Sequence, residues 1–179
     1  MLPMSIVSTT LEEYSENFMT DLLTNAKEYC KCNHKEIILE PILGAGTDGT
    51  VWQSQQGTAI KALGRTKNFL DELKCYRRLR EKKVTEILGF AVPELEGHSN
   101  SLQVIEISIV QPPYLIDFGK VYIDRPPPYL GDPIAMSNWH TEGRDNFGGD
   151  WNKVQSVLGY LKNNFGIWYV DPKPANIHF

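Results

Sequence analysis

Three short stretches of the chain carry residue types that could together bind and transfer a phosphate group. GAGTDGTV, residues 44–51, spaces its glycines as G-x-G-x-x-G; AIK ends at Lys61; and DPKPAN, residues 171–176, groups an aspartate, a lysine and an asparagine. Backbone N–H groups can approach a phosphate closely where glycine removes the Cβ atom. A lysine ammonium neutralises phosphate charge, and carboxylate or amide oxygens bind magnesium. These residues therefore indicate nucleotide chemistry.

The residues after Gly49 distinguish two uses of such a glycine pattern. The pattern opens a helix in dinucleotide-binding folds, whereas in kinase folds it forms the turn of a hairpin over ATP phosphates. TVWQSQQGTAIKAL is β-prone on both sides of a Gln56-Gly57 turn. A helix from Gly49 would contain β-branched residues and a glycine in its first turns. We therefore predict strand, turn, strand, and exclude a phosphate loop because no Lys-Ser or Lys-Thr pair follows the glycines.

Length and charge limit the classes of protein to which the chain could belong. Its 179 residues predict one domain, and a net charge of −4 without a basic patch excludes a nucleic-acid partner held by phosphates. The N-terminus has neither the cationic start of a signal peptide nor an apolar anchor, so we expect no membrane partner. The same N-terminus predicts a cytoplasmic location. The three cysteines lack zinc-ligand spacing, which predicts free thiols in a reducing compartment.

Helical periodicity occurs in three segments. Residues 10–30 predict an amphipathic helix with a Thr10–Glu13 capping box, which either packs on a domain that begins near Ile37 or docks a partner. NFLDELKCYRRLREK predicts a helix capped by Asn68. DWNKVQSVLGYLKNNFG predicts a last helix that Asp150 caps and Gly166 ends.

Strand and proline signals fill the rest of the chain. KEIILEPILGAG predicts a strand that leads into the glycines, and AVPELEGHSNSLQVIEISIV predicts two strands joined at His98-Ser99-Asn100. Prolines dominate residues 111–138, so we expect no regular helix there.

In this order along the chain, the stretches resemble the protein-kinase superfamily in a minimal, C-terminally truncated form of the bacterial type. DELKCYRRL looks like the helix whose glutamate, here Glu72, pairs with the phosphate-binding lysine, here Lys61. VIE looks like the strand that enters the adenine hinge. The resemblance implies these nucleotide-binding residues: Gly44, Gly46, Thr47, Gly49, Val51, Ala59, Lys61, Glu106 and Ser108.

DPKPAN looks like the family's catalytic loop. The resemblance implies Asp171 as the base that accepts the proton of the acceptor hydroxyl, Lys173 as the lysine that steadies phosphate, and Asn176 as a magnesium ligand. ATP and Mg²⁺ are the implied cofactors. The implied fold is α+β and kinase-like: an antiparallel five-stranded N-lobe with a C-helix, and a reduced helical C-lobe, after an N-terminal amphipathic helix. We expect boundaries at 1–36 and 37–179, with 37–110 as the N-lobe and 111–179 as the hinge, proline-rich segment and C-lobe.

The chain departs from the family pattern in two places. YVD replaces the H-R-D triplet, and no D-F-G follows Asn176, so we expect the large lobe to be reduced. A D-F-G does occur earlier, at Asp117 to Gly119. This segment is either a strand or turn with a solvated aspartate, or it folds back so that Asp117 supplies the missing magnesium ligand, because a metal site needs oxygen atoms in space irrespective of chain order.

Two functions therefore remain open. The first is a minimal phosphotransferase that binds ATP and magnesium between two lobes and acts on an unknown protein or small-molecule acceptor. The second is a pseudokinase, a regulatory module that retains nucleotide binding and acts through a docked partner. A homodimer is also compatible with the sequence.

Overall fold

A computed structural model describes the backbone of residues 4–179 and the side chains of residues 18–179, and it has the predicted mixed α+β composition. The helices are α1 (Met4–Cys32), α2 (Thr66–Glu81), α3 (Pro133–Phe147) and α4 (Trp151–Phe165), with 3-10 helices at Pro128–Gly131 and Gly148–Asp150. The strands are β1 (Ile37–Ile38), β2 (Gly44–Gly46), β3 (Gly49–Ser54), β4 (Thr58–Leu63), β5 (Glu86–Ile87), β6 (Phe90–Ala91), β7 (Leu95–Ser99), β8 (Val104–Ser108), β9 (Tyr114–Leu115), β10 (Val121–Ile123), β11 (Ile167–Tyr169) and β12 (Ile177–His178).

The chain forms two compact units. Unit 1 combines the chain up to Phe69 with Glu96–Ile107, and unit 2 combines Leu70–Leu95 with Ser108–Phe179. The predicted boundaries at residues 36 and 110 remain predictions.

Unit 1 is built on an antiparallel sheet with the strand order β1-β3-β4-β8-β7, and β2 also pairs with β3. The pairs β1–β3, β2–β3 and β3–β4 are antiparallel. The sequence predicted five strands, but the run from Ile37 to Gly46 is divided into β1 and β2. The sheet therefore has six strands in five positions.

Helix α1 packs on one face of this sheet, as the amphipathic pattern predicted. Its buried residues form a common core with residues of β3, β4 and β8: Leu22, Ala26, Tyr29 and Cys30 with Trp52, Ile60, Ala62 and Val104. Burial of the larger aliphatic side chains among them, Leu22, Ile60 and Val104, contributes about 1.5–3 kcal/mol each. The predicted capping pair Thr10–Glu13 lies outside the described side chains.

Three of the local predictions were wrong. Strands β7 and β8 are joined at residues 100–103 rather than at His98-Ser99-Asn100, because His98 and Ser99 belong to β7. The other two concern helix starts, and each has a local reason. Helix α2 begins at Thr66, because the Phe69 N–H already donates to the Arg65 carbonyl, so Asn68 lies inside the helix rather than at its cap. Helix α3 begins at Pro133, within the proline-rich segment. Asp132 caps it by accepting hydrogen bonds from Ile134 N and Ala135 N, and proline suits the first helical turn because its missing N–H is not needed there.

Helix α4 follows its prediction closely. It runs from Trp151 to Phe165 and buries the expected apolar face. Gly166 follows as the C-cap, in the left-handed conformation with φ of 64°. The Asp150 side chain makes no capping hydrogen bond, although Asp150 occupies the N-cap position.

Unit 2 contains two small sheets. Their strand orders are β12-β9-β6-β5 and β10-β11; β9 pairs with β12, and β10 with β11, in antiparallel fashion. All three cysteines are free, as predicted. Among the described residues, no helix is both long and apolar enough to cross a bilayer.

Candidate functional site

The glycine motif of unit 1 is the predicted hairpin. Gly46 pairs with Gly49, so Thr47 and Asp48 form the turn between β2 and β3. Gly44 pairs with Val51, and Val51 pairs with Lys61, so these three residues stand side by side across three strands. Alternate residues point to opposite faces of a sheet, and Ile60 and Ala62 pack towards α1. Lys61 and Val51 therefore lie on the sheet face away from α1, as does Ala59.

The glycines of the hairpin differ in the space beside their Cα atoms. A Cβ atom added to Gly44 or Gly46 would meet nothing within 4 Å, so open space lies next to both residues. A Cβ atom at Gly49 would lie 2.4 Å from the Ala62 carbonyl oxygen. Glycine at 49 is thus required by the close approach of β4, whereas glycine at 44 and 46 leaves room for a ligand.

A cation near this hairpin was missed by the sequence reasoning. Arg65 Nη1 lies 3.3 Å from Asp48 Oδ1 in the hairpin turn, and the Arg65 side chain is largely exposed. The Gly64 N–H also donates to the Asp48 carbonyl at 3.0 Å. No motif marks Arg65, because the sheet brings it back to the turn.

Glu106, predicted near the hinge, uses its carboxylate inside unit 1. Its side chain is 2% exposed and accepts hydrogen bonds from Tyr29 OH at 2.9 Å, Thr58 Oγ1 at 2.5 Å and Lys35 Nζ. Burial by itself would raise the pKa of Glu106, but these three donors outweigh burial and hold that pKa below its ordinary value. The carboxylate is therefore committed to the fold, and only the main chain of Glu106 could serve a nucleotide.

Ser108 belongs to unit 2 and is also engaged. Its Oγ accepts from Glu94 N at 2.9 Å, and its own N–H donates to the Glu94 carbonyl at the same distance. These bonds fix the chain just after β8.

In unit 2 the strands bring the early D-F-G segment to the predicted catalytic loop. Asp117 follows β9, and β9 pairs with β12, the strand that begins directly after Asn176. Lys120 directly precedes β10, and β10 pairs with β11, the strand that precedes Asp171. The Ile116 N–H donates to the Asn176 carbonyl at 2.8 Å, and Lys120 Nζ lies 2.9 Å from Asp171 Oδ2. The segment thus folds back onto the catalytic loop although it precedes that loop in the sequence.

The ring of Phe118 holds this segment in place. Phe118 is fully buried and makes edge-to-face contacts with Tyr76 of α2, at 5.2 Å between centroids, and with Tyr169 of β11, at 5.8 Å. Asp117 is left-handed, with φ of 62°, and its Oδ1 accepts from the Gly119 N–H at 3.2 Å. Asp tolerates this conformation better than most residues, because its carboxylate bonds to the local backbone.

Glu72 and Asp117 approach the same point. Glu72 is fully buried, and a Cβ atom at Gly119 would lie 3.3 Å from Asp117 Oδ1 and 3.4 Å from Glu72 Oε2. Glycine at 119 therefore lets the two carboxylates approach each other. Glu72 belongs to unit 2 and Lys61 to unit 1, and their predicted pairing remains a prediction.

Two buried tyrosine hydroxyls lie near these acids. Burial raises the pKa of Tyr169 well above its usual value, and the charges of Asp117 and Asp171 raise it further. The Tyr169 hydroxyl donates to the Ile116 carbonyl at 2.8 Å and is hydrogen-bonded by the Asn176 side chain. The pKa of Tyr76 is raised in the same way by burial, Glu72 and Asp117. Charges from α2, the D-F-G segment and the predicted catalytic loop thus contribute to the raised pKa values of these two tyrosines.

Asp171 is flanked by two cations. Lys120 Nζ and Lys173 Nζ lie 2.9 Å and 3.2 Å from its Oδ2, and the Asp171 side chain is 28% exposed. Both contacts use the same oxygen, which leaves Oδ1 for another partner. Lys120 was not predicted, since nothing in its sequence neighbourhood distinguishes it from a surface lysine.

Asp117 and Asn176 have the donor atoms that magnesium prefers. Mg²⁺ takes oxygen ligands, keeps several waters and is bound by one or two carboxylates together with substrate phosphates. Asp117 supplies a half-buried carboxylate. The Asn176 side chain, held against Tyr169, supplies an amide oxygen. Within the described residues, no group of three or more His, Cys, Asp or Glu side chains is arranged to hold a metal, so a metal here would depend on phosphate oxygens.

Comparisons with known proteins give little more. No family model matches the chain, and no curated protein matches it. Among solved structures, a ternary complex of streptomycin, ATP and APH(2")-IIa is similar over 75% of this chain, with 15% identity and a TM-score of 0.40. The chain spans 38% of the length of that protein. The functional conclusion must therefore come from the residues of this chain.

Proposed function

We propose that the protein is a kinase-like phosphotransferase that uses ATP and magnesium. The observation that carries the proposal is the pairing of β9 with β12 and of β10 with β11, which brings Asp117 to the segment that holds Asp171 and Asn176. Asp117 is more than 50 positions away from Asp171 and Asn176 in the sequence, so only the fold brings these side chains close together. A structural turn alone does not require one aspartate after β9 and another after β11.

In unit 1, the open space beside Gly44 and Gly46 and the position of Lys61 suit a phosphate group. Backbone N–H groups of the hairpin can approach phosphate oxygens there, and the Lys61 ammonium supplies a positive charge. Arg65, next to the hairpin turn, adds a second cation. Each such charge-assisted contact contributes about 1.5–3 kcal/mol.

In unit 2, Asp171 is suited to orient an acceptor hydroxyl. Its Oδ2 is held by two lysines, which fixes the carboxylate while Oδ1 can accept the hydroxyl proton. The hydroxyl oxygen then forms a bond to the γ-phosphorus, the bond from that phosphorus to its bridging oxygen breaks, and ADP leaves. Lys173 and Lys120 offset the negative charge on the phosphoryl oxygens.

Asp117 and Asn176 would hold the magnesium ion. When bound, that ion neutralises charge on the phosphates. Asp117 is held by the Gly119 N–H and by the anchored Phe118, so its carboxylate needs little reorganisation.

The test is ATP turnover with hydroxyl acceptors, comparing wild type with Asp171→Asn. We expect Asp171→Asn to keep ATP binding and to lose turnover by about a hundredfold or more, because the proton acceptor is removed. Asp145→Asn, an exposed aspartate of α3, is the matched control and should behave as wild type. Wild-type turnover equal to that of Asp171→Asn would contradict the proposal, and retained ATP binding would then favour the pseudokinase.

A further inference from the structure

An apolar cavity of about 170 Å³ lies in unit 2 beside the strand that leads to Asp171. Its walls come from the 3-10 helix Pro128–Gly131, from α3, from α4 and from the end of β11. The lining side chains include Tyr129, Met136, Trp139, Leu158, Trp168 and Val170. Val170 immediately precedes Asp171, so the cavity reaches the chain neighbour of the residue proposed to orient the acceptor.

The cavity has the size and chemistry for one aromatic ring. An enclosed apolar cavity of about 150 Å³ is known to bind benzene. The present cavity is partly open to the surface and has a similar volume, so a ring can enter it with a short substituent outside. Trp139 is fixed by a hydrogen bond from its Nε1 to the Val170 carbonyl at 3.2 Å. Lys162 Nζ lies 4.3 Å from the centroid of the Trp168 ring.

Charge in the cavity wall excludes one class of ligand. Lys162 is the charged side chain among the described lining residues, and no carboxylate lines the cavity. A polycationic ligand would find no counter-charge there. A neutral or anionic ring is compatible with this wall, because the charge of Lys162 already contacts the Trp168 ring and does not repel such a ligand.

Gly159 contributes to the open volume of the cavity. It lies in the interior of α4, where glycine costs about 1 kcal/mol relative to alanine. A Cβ atom there would meet nothing within 4 Å, so no neighbour in the described chain requires glycine. Because Gly159 lines the cavity, a longer side chain at this position would project into it.

Tyr129 is one of the wall residues of the cavity. Burial raises the pKa of the Tyr129 hydroxyl, and the charges of Tyr122 and Asp171 raise it further.

We propose that this cavity binds a single aromatic ring carrying a hydroxyl group on a short substituent, and that this molecule is the phosphoryl acceptor. Ring binding stands on the cavity alone, whereas the acceptor role rests on the proposed function. In the transfer, the hydroxyl oxygen bonds to the γ-phosphorus, the bond to the bridging oxygen breaks, ADP leaves and the proton passes to Asp171.

The test uses 2-phenylethanol as the probe and measures its binding by quenching of tryptophan fluorescence, since Trp139 and Trp168 line the cavity. The variants are Gly159→Leu, which fills the cavity, and Ser156→Leu, an exposed position on α4, as the matched control. We expect saturable binding by wild type and by Ser156→Leu, and at least about a tenfold weaker affinity for Gly159→Leu at an unchanged or raised melting temperature.

Equal affinity of wild type and Gly159→Leu, or no saturable binding by wild type, would overturn the cavity as a ring site. A second measurement follows formation of 2-phenylethyl phosphate from ATP by phosphorus NMR. Product from wild type and not from Gly159→Leu supports the acceptor role. If the ring binds but ATP turnover phosphorylates only other hydroxyl compounds, the acceptor role is overturned and the proposed function stands. If the ring binds and there is no ATP turnover at all, the proposed function itself is contradicted.

Discussion

Replacement of Tyr29 by phenylalanine tests whether the buried Glu106 carboxylate serves the fold of unit 1. The Tyr29 hydroxyl donates to Glu106 Oε2 at 2.9 Å, and both residues are almost fully buried, so water cannot replace the lost donor. A hydrogen bond to a charged group contributes about 1.5–3 kcal/mol. We therefore expect Tyr29→Phe to lower the free energy of unfolding by about 2 kcal/mol, which corresponds to about 4–8 °C in melting temperature.

The size of this effect should depend on pH. Burial alone would raise the pKa of Glu106, but hydrogen bonds from Lys35, Thr58 and Tyr29 hold it below its ordinary value of 4.5. A folded-state pKa below the unfolded one stabilises the protein above the unfolded value, and this stability is lost as pH falls through the folded value. The difference between wild type and Tyr29→Phe should therefore be constant near neutral pH and shrink below pH 4.5.

The assay is urea unfolding followed by circular dichroism between pH 7 and pH 3.5. The control is Tyr160→Phe, at an exposed position on α4, which should unfold at the wild-type urea concentration. An unchanged midpoint for Tyr29→Phe at pH 7, or a difference that does not shrink in acid, would refute the assignment of Glu106 as a charged acceptor in the core.

Four further substitutions, of which Gly44→Ala is the control for Gly49→Ala, are measured by the same urea unfolding at pH 7. Gly49→Ala should lower the free energy of unfolding by about 1–3 kcal/mol, because the added Cβ would lie 2.4 Å from the Ala62 oxygen. Gly44→Ala should change that free energy by less than about 0.5 kcal/mol. Equal urea midpoints for the two variants would contradict the packing role of Gly49. Asp132→Ala should cost about 1 kcal/mol through loss of the α3 cap, and an unchanged midpoint would show that the cap is dispensable. Phe118→Ala should cost about 3–5 kcal/mol, and a loss below about 1 kcal/mol would mean that Phe118 is not an anchor.

The local elements could be predicted from the sequence where a few neighbouring residues determine them. The hairpin at Gly46-Gly49 follows from its glycines and β-branched flanks, and the end of α4 follows from Gly166. Helix α3 was missed because prolines were counted as breakers, while Asp132 and Pro133 together start a helix.

Contacts between distant residues could not be predicted. The partners of Glu106 include Tyr29 and Lys35, which lie 77 and 71 positions away in sequence. The pairing of β9 with β12 likewise depends on strand register, which no single segment encodes. For this reason the sequence left two alternatives for Asp117, a solvated turn or a magnesium ligand. Only the strand pairing brings it to Asn176.

Titration calorimetry of ATP, with magnesium and with chelator, tests most directly the proposal that Asp117 binds magnesium together with ATP. Wild type and the control Asp145→Asn should bind ATP at least about tenfold more tightly with magnesium, a difference of about 1.4 kcal/mol. Asp117→Asn keeps the shape of the side chain and removes its charge. We expect this variant to lose the magnesium-dependent gain while its metal-free affinity stays at the wild-type value. An undiminished magnesium effect in Asp117→Asn, or the lack of one in wild type, would contradict the account.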